Sequence, residues 1–181
     1  MRKITAGLFI SLDGVVEAPE TWHFPYFDDE MGQAVGAQMA AADVMLLGRH
    51  TYDAFAAHWP QQDPDADPIA KVMNDTPKYV VSTTLTSPTW ANTTVISGDV
   101  NAELTRLKQL PGANIGITGS PTLVVALLRD GLLDELNLLV HPIVIGTGKR
   151  LFEEGAGQIP LALTHSVTFS TGVLNLTYKK A

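Results

Sequence analysis

Short apolar runs interleaved with helical segments are the feature that most limits what this chain of 181 residues can become. "VMLLG" (44–48) runs straight into "RHTYDAFAAHW". "KYVVS" and "TTVIS" are followed by "VNAELTRLKQL", in which Leu104, Leu107 and Leu110 share a face. "ANIGIT" is followed by "SPTLVVALLRDG", with Ser120 at the cap and Pro121 in the first turn. Runs this short, without internal alternation, suit strands buried on both faces. Strands alternating with helices over the first two thirds therefore require a mostly parallel sheet with helices on both sides.

The remaining segments fit that frame. "KITAGLFISLDG" reads as the first strand, closed by the Asp13-Gly14 turn. "DDEMGQAVGAQMAAAD" opens with acids and carries Met31, Val35, Met39 and Ala42 at helical spacing. "PQQDPDADPIAKVMNDTP" holds four prolines and is expected to be a surface loop around a short helix, Ile69 to Met73. "LDELNLLVHPIVIG" reads as one long strand. The tail is expected to be a hairpin turning at Ser170-Thr171-Gly172, with Leu161, Leu163, Val167 and Phe169 inward. The expected fold is a three-layer α/β/α sandwich, one domain over residues 1–181, its mixed sheet ending in an antiparallel hairpin.

Composition narrows the function. A formal charge of −7 argues against a broad basic surface for nucleic acid, so any anion must be met by local geometry. The absence of cysteine excludes disulfides, thiolate metal sites and a cysteine nucleophile. The five histidines, His23, His50, His58, His141 and His165, show no paired helical spacing beside a carboxylate, so no metal is expected. No run approaches the length of a membrane span and no leader pattern is present; the expectation is a cytoplasmic chain without a membrane partner.

In open α/β sheets, ligands bind beyond the carboxyl ends of the strands. Three such ends carry suggestive residues: Gly48-Arg49-His50-Thr51, Ser82-Thr83 and Gly119-Ser120. Each offers backbone N–H groups, hydroxyls or a cation near a helix start, a combination suited to phosphate.

In order and spacing these residues resemble the dihydrofolate reductase-like family. "LLGRHTY" is similar to its Gly-Arg-x-Thr turn, and Trp22-x-x-Pro25 precedes a helix as it does there. "SLDG" (11–14), the Ser-x-Thr-Leu run at Ser82 to Leu85 and "GLLDELNLLVHPIVIGTGKRLF" (131–152) resemble one branch more closely. That branch is the reductase domain of the bifunctional riboflavin-biosynthesis deaminase–reductase and its stand-alone bacterial relatives. The resemblance covers nearly the whole chain. It implies NADPH as cofactor and hydride transfer to a small heterocycle, either a ribosylaminopyrimidine of riboflavin biosynthesis or a pterin.

By the same resemblance, Arg49, Ser82 and Thr83 would meet the adenosine 2′-phosphate. Gly48 and Thr51 would hold the pyrophosphate, and Gly119, Ser120 and Thr122 would cradle it from the other side. Asp28 is the implied proton-managing acid, with Asp29 and Glu30 as neighbours that also suit a helix first turn. Trp22 and Asp13 are implied on the substrate side, Asp13 being equally a turn residue with Gly14. Trp22, Phe24, Tyr26 and Trp59 are open between stacking on a flat ring and simple core. Lys149 and Arg150 are open between a substrate phosphate and an exposed loop. A non-catalytic nucleotide- or flavin-binding module on the same fold stays as the alternative. Apolar residues left over in the late strands (Val173, Leu174, Leu176) predict a homodimer built on those strands and the Gly146 to Phe152 loop, as in the family's relatives.

Overall fold

The computed structural model describes residues 1–155 and 157–181. Eight strands form one sheet: β1 (Ile4–Ser11), β2 (Ala42–Gly48), β3 (Lys78–Val81), β4 (Thr93–Ile96), β5 (Asn114–Thr118), β6 (Glu135–His141), β7 (Leu161–Thr168) and β8 (Leu174–Lys180). Their spatial order is β4-β3-β2-β5-β1-β6-β8-β7. The first six neighbours pair parallel, and β8 and β7 join antiparallel.

Among the described residues, five α-helices flank the sheet: α1 (Asp29–Ala40), α2 (Arg49–His58), α3 (Pro68–Asp75), α4 (Val100–Gln109) and α5 (Pro121–Arg129). Strand alternation sorts the core into layers. Ile4, Ala6, Leu8, Ile10, Val44 and Leu46 face Leu104 and Leu107 of α4 and Val124, Leu127 and Leu128 of α5. On the opposite face, Met45, Leu47 and Val80 meet Tyr52 of α2 and Met73 of α3, while Leu139 and Phe9 meet Met31 of α1. Val44 to Leu47 are all buried because β2 is covered on both sides. That is the physical meaning of its unbroken apolar run.

Four expectations change. The long strand stops at His141, since Pro142 has no N–H to extend a ladder; a loop replaces its second half. The helix around Ile69 to Met73 is longer, Pro68–Asp75, with Pro68 in its first turn and Asp67 accepting from the Ile69 N–H at 2.9 Å. Leu110 lies past the end of α4 and is exposed, so it does not share the buried face of Leu104 and Leu107. In the hairpin, Leu163 and Val167 are exposed rather than inward. The pairing register shifts between Leu163 and His165, and β7 is the outermost strand of the sheet.

Lys78, at the head of β3, is a buried cation. Its Nζ donates to the carbonyls of Asn74, Thr76 and Ala91 at 2.7–3.2 Å and lies 4.3 Å from the Trp90 ring centroid. It ties the end of α3 to the entry of β4.

Candidate functional site

All six parallel strands deliver their carboxyl ends to one edge of the sheet. The three turns singled out in the sequence follow β3, β2 and β5, which are neighbours in the sheet. Two of them are bonded directly to each other. Gly48 N–H donates to the Ser120 hydroxyl at 2.9 Å, and Ser120 N–H donates to the Thr51 hydroxyl at 2.9 Å. Gly119 and Ser120 both have positive φ, +68° and +53°. A Cβ on Gly119 would stand 3.0 Å from the Thr51 methyl carbon, so this turn requires glycine both for conformation and for space.

The Ser82 and Ser120 hydroxyls therefore organise backbone. Ser82 is buried and accepts from the N–H groups of Thr84 at 3.2 Å and Leu85 at 3.1 Å, closing the turn after β3. Arg49 opens α2 and its Nε donates to both oxygens of Asp53, one helical turn on, at 2.9 and 2.8 Å. Its Nη1 reaches the Thr84 hydroxyl at 3.3 Å, across to the turn after β3. Thr84, rather than Thr83, faces the guanidinium; the Ser-x-Thr spacing from Ser82 carried that signal. Asp53 was not foreseen, although four residues after Arg49 is the ordinary spacing for a helical ion pair. Thr122, in the first turn of α5, accepts from Lys149 Nζ at 2.6 Å, which brings a cation to the Gly119-Ser120 turn.

Asp13 sits between the end of β1 and the loop after β6. It accepts from the Ser11 hydroxyl at 2.6 Å and from the N–H groups of Ile145 and Gly146 at 3.1 and 2.8 Å. Those bonds, the Ser11 hydroxyl foremost, hold its carboxyl well below the usual carboxylate range. Arg150 lies beside it, donating from Nε to the Asp13 carbonyl at 3.0 Å. Asp28 caps α1, accepting from Met31 N–H at 2.9 Å, and its second oxygen accepts from the Ser170 hydroxyl at 3.1 Å. Glu30 accepts from Ser170 N–H at 2.7 Å, so the first turn of α1 fastens the β7–β8 turn.

The four aromatic residues considered as a stacking set divide. Trp59 packs with Phe55 and His58 at the end of α2. Trp22, Phe24 and Tyr26 gather at the ends of β1 and β6 with Phe9, His23 and His141. No motif or spacing in the sequence marks either histidine; their burial together comes from the fold. Among the described residues, no three histidines or carboxylates are grouped so as to hold a metal ion, and no helix is long and apolar enough to cross a membrane.

The sheet order, the flanking helices and the antiparallel final pair define a dihydrofolate reductase-like α/β protein. The chain belongs to the family of the RibD C-terminal domain, which it matches over residues 2–175. It is 31% identical over 182 residues to the uncharacterized protein YyaP of Bacillus subtilis (strain 168), covering 98% of this chain and 94% of that one. A crystal structure from Shewanella sp. PV-4, assigned provisionally to riboflavin biosynthesis, superposes with a TM-score of 0.79 at 20% identity, over 99% of both chains. The Enterococcus faecalis dihydrofolate reductase complexed with NADP(H) gives a TM-score of 0.64 at 13% identity, over 98% of this chain and 96% of that one.

Proposed function

We propose that the chain is an NADPH-dependent reductase that transfers a hydride to a small heterocycle, either an aminopyrimidine of the riboflavin pathway or a pterin-like ring. The observation that carries this reading is the set of three turns on neighbouring parallel strands, with Arg49 at their outer end. The residues fit a dinucleotide. Gly48 and Gly119 leave backbone bare at the turn, and the α2 and α5 starts lie together through Ser120. Lys149 and Arg49 supply cations where the chain as a whole is acidic. Gly48, Thr51, Gly119, Ser120 and Thr122 would line the pyrophosphate, with Arg49, Thr84 and the Ser82-Thr83 turn toward the 2′-phosphate.

When bound, the nicotinamide supplies the hydride. This chain's own residues orient the acceptor ring and manage a proton. Asp28 is the acid proposed for the proton, and Trp22 and Tyr26 form walls for the ring. Asp13 supports the site by pinning the loop after β6 rather than by a contact of its own. The same reading includes a homodimer through the late strands.

Arg49→Ala tests the carrying observation. NADPH affinity should fall by about 1.5–3 kcal/mol, the range for a charged hydrogen-bonded contact, while NADH affinity barely changes. Equal losses for the two cofactors in parallel titrations would reject the 2′-phosphate assignment.

A further inference from the structure

His141 ends β6 fully buried, its Nδ1 2.8 Å from the Leu139 carbonyl. A carbonyl only accepts, so Nδ1 carries the proton and Nε2 is left as a lone-pair acceptor. No hydrogen-bond partner meets that Nε2. Trp22, Phe9 and Tyr26 surround the ring edge-on, with centroids 5.1, 5.6 and 5.7 Å away. A buried acceptor without a partner is costly, and one walled by aromatic rings asks for a flat donor.

His23 supplies the shape of that donor. Its imidazole lies parallel to Phe9, 4.5 Å between centroids and 12° between planes, and Phe24 packs on it at 4.2 Å. Its centroid is 6.2 Å from that of His141. Its own Nδ1 is buried without a partner, so no bond from that atom holds the ring in place. Backbone bonds fix the segment, His23 N–H to the Pro19 carbonyl and Tyr26 N–H to the His23 carbonyl, both at 2.9 Å. The imidazole therefore leaves by turning about its own side-chain bonds, past a Phe24 that is 64% exposed. Burial holds both imidazoles below the ordinary histidine range, so both are neutral near pH 7. Ser11 pairs with His141 in register, which sets this slot at the same carboxyl edge as the three turns.

We propose that the His23 ring fills the place of a flat, N–H-bearing heterocycle of aminopyrimidine type. That heterocycle stacks on Phe9 and donates an N–H to Nε2 of His141 once His23 swings out. The proposal rests on the reductase reading above and names the two residues that select the ring.

The test uses the full chain labelled with 15N-histidine and titrated with 6-aminouracil. The His141 Nε2 resonance should move on addition. His23→Ala should bind 6-aminouracil more tightly than the unsubstituted chain, because no ring has to leave the slot. His141→Phe keeps the aromatic enclosure and removes the acceptor; it should weaken binding roughly 2- to 10-fold, the loss of one hydrogen bond. An Nε2 signal that stays in place up to the solubility limit overturns the proposal, as does weaker binding by His23→Ala. The spectra of the unsubstituted chain decide the matter even where a variant misfolds. NADPH titration of the same sample separates the two levels of inference. NADPH binding with a silent His141 overturns the slot alone, whereas a responsive His141 without NADPH binding overturns the reductase reading and leaves the slot standing.

Discussion

Asp13 takes three hydrogen bonds on its carboxylate, from one hydroxyl and two backbone N–H groups, and each favours the charged form. Its folded value is therefore lowered, and the stability it contributes is complete above an ordinary aspartate's range and lost as pH falls below about 4. Asp13→Asn should lower stability most at neutral pH and flatten the acid limb of a stability curve between roughly pH 4 and 2, so that the two proteins converge in acid. A limb of unchanged steepness would show that the loop after β6 is held by other contacts. Arg49 shows the same economy of neighbours. Asp53 takes its Nε, and the far side of the guanidinium points to Thr84, so the fork is oriented before any ligand arrives.

At the scale of elements, α1 carries two duties through one residue. Asp28 caps the helix and also accepts from Ser170, joining α1 to the β7–β8 turn. Asparagine caps a helix about as well as aspartate, so Asp28→Asn should cost no more than about 1 kcal/mol in denaturant titration. NADPH binding should be untouched. Turnover should fall and the acid side of the pH–rate profile should vanish, because the ionisable group is gone. Unchanged turnover would move the proton to Asp29, Glu30 or a bound water. The long-strand expectation failed for a reason belonging to this scale as well. Apolar content runs on from β6 through Ile143 to Ile145, but Pro142 breaks the ladder, and the loop returns to β1 through Leu12 N–H to the Ile143 carbonyl at 2.8 Å.

At the scale of the whole molecule, the sheet is closed off on one side by β4 and on the other by β7. Phe152, Leu163, Val167 and Leu174 leave apolar area exposed around the β7 side. A homodimer there predicts a light-scattering mass near twice 19.5 kDa at micromolar concentration. A mass near 19.5 kDa that persists on tenfold concentration would reject it.

The sequence by itself determined the alternation of strands and helices, the layered α/β class, the closing hairpin and the positions of the glycine turns. These follow from local rules: periodicity, caps, proline and the need to bury short apolar runs. Strand order did not follow, because nothing local says that β5 inserts between β2 and β1; long-range packing alone put the Gly48 and Gly119 turns in contact. The direction of polar side chains belonged to the same level. Ser82 and Ser120 turn inward to backbone, Lys78 is drawn under Trp90, and His141 loses its solvent, because burial and hydrogen-bond supply are set by neighbours from distant parts of the chain. The sequence places the candidate residues along the chain; only the assembled sheet decides which of them face one another.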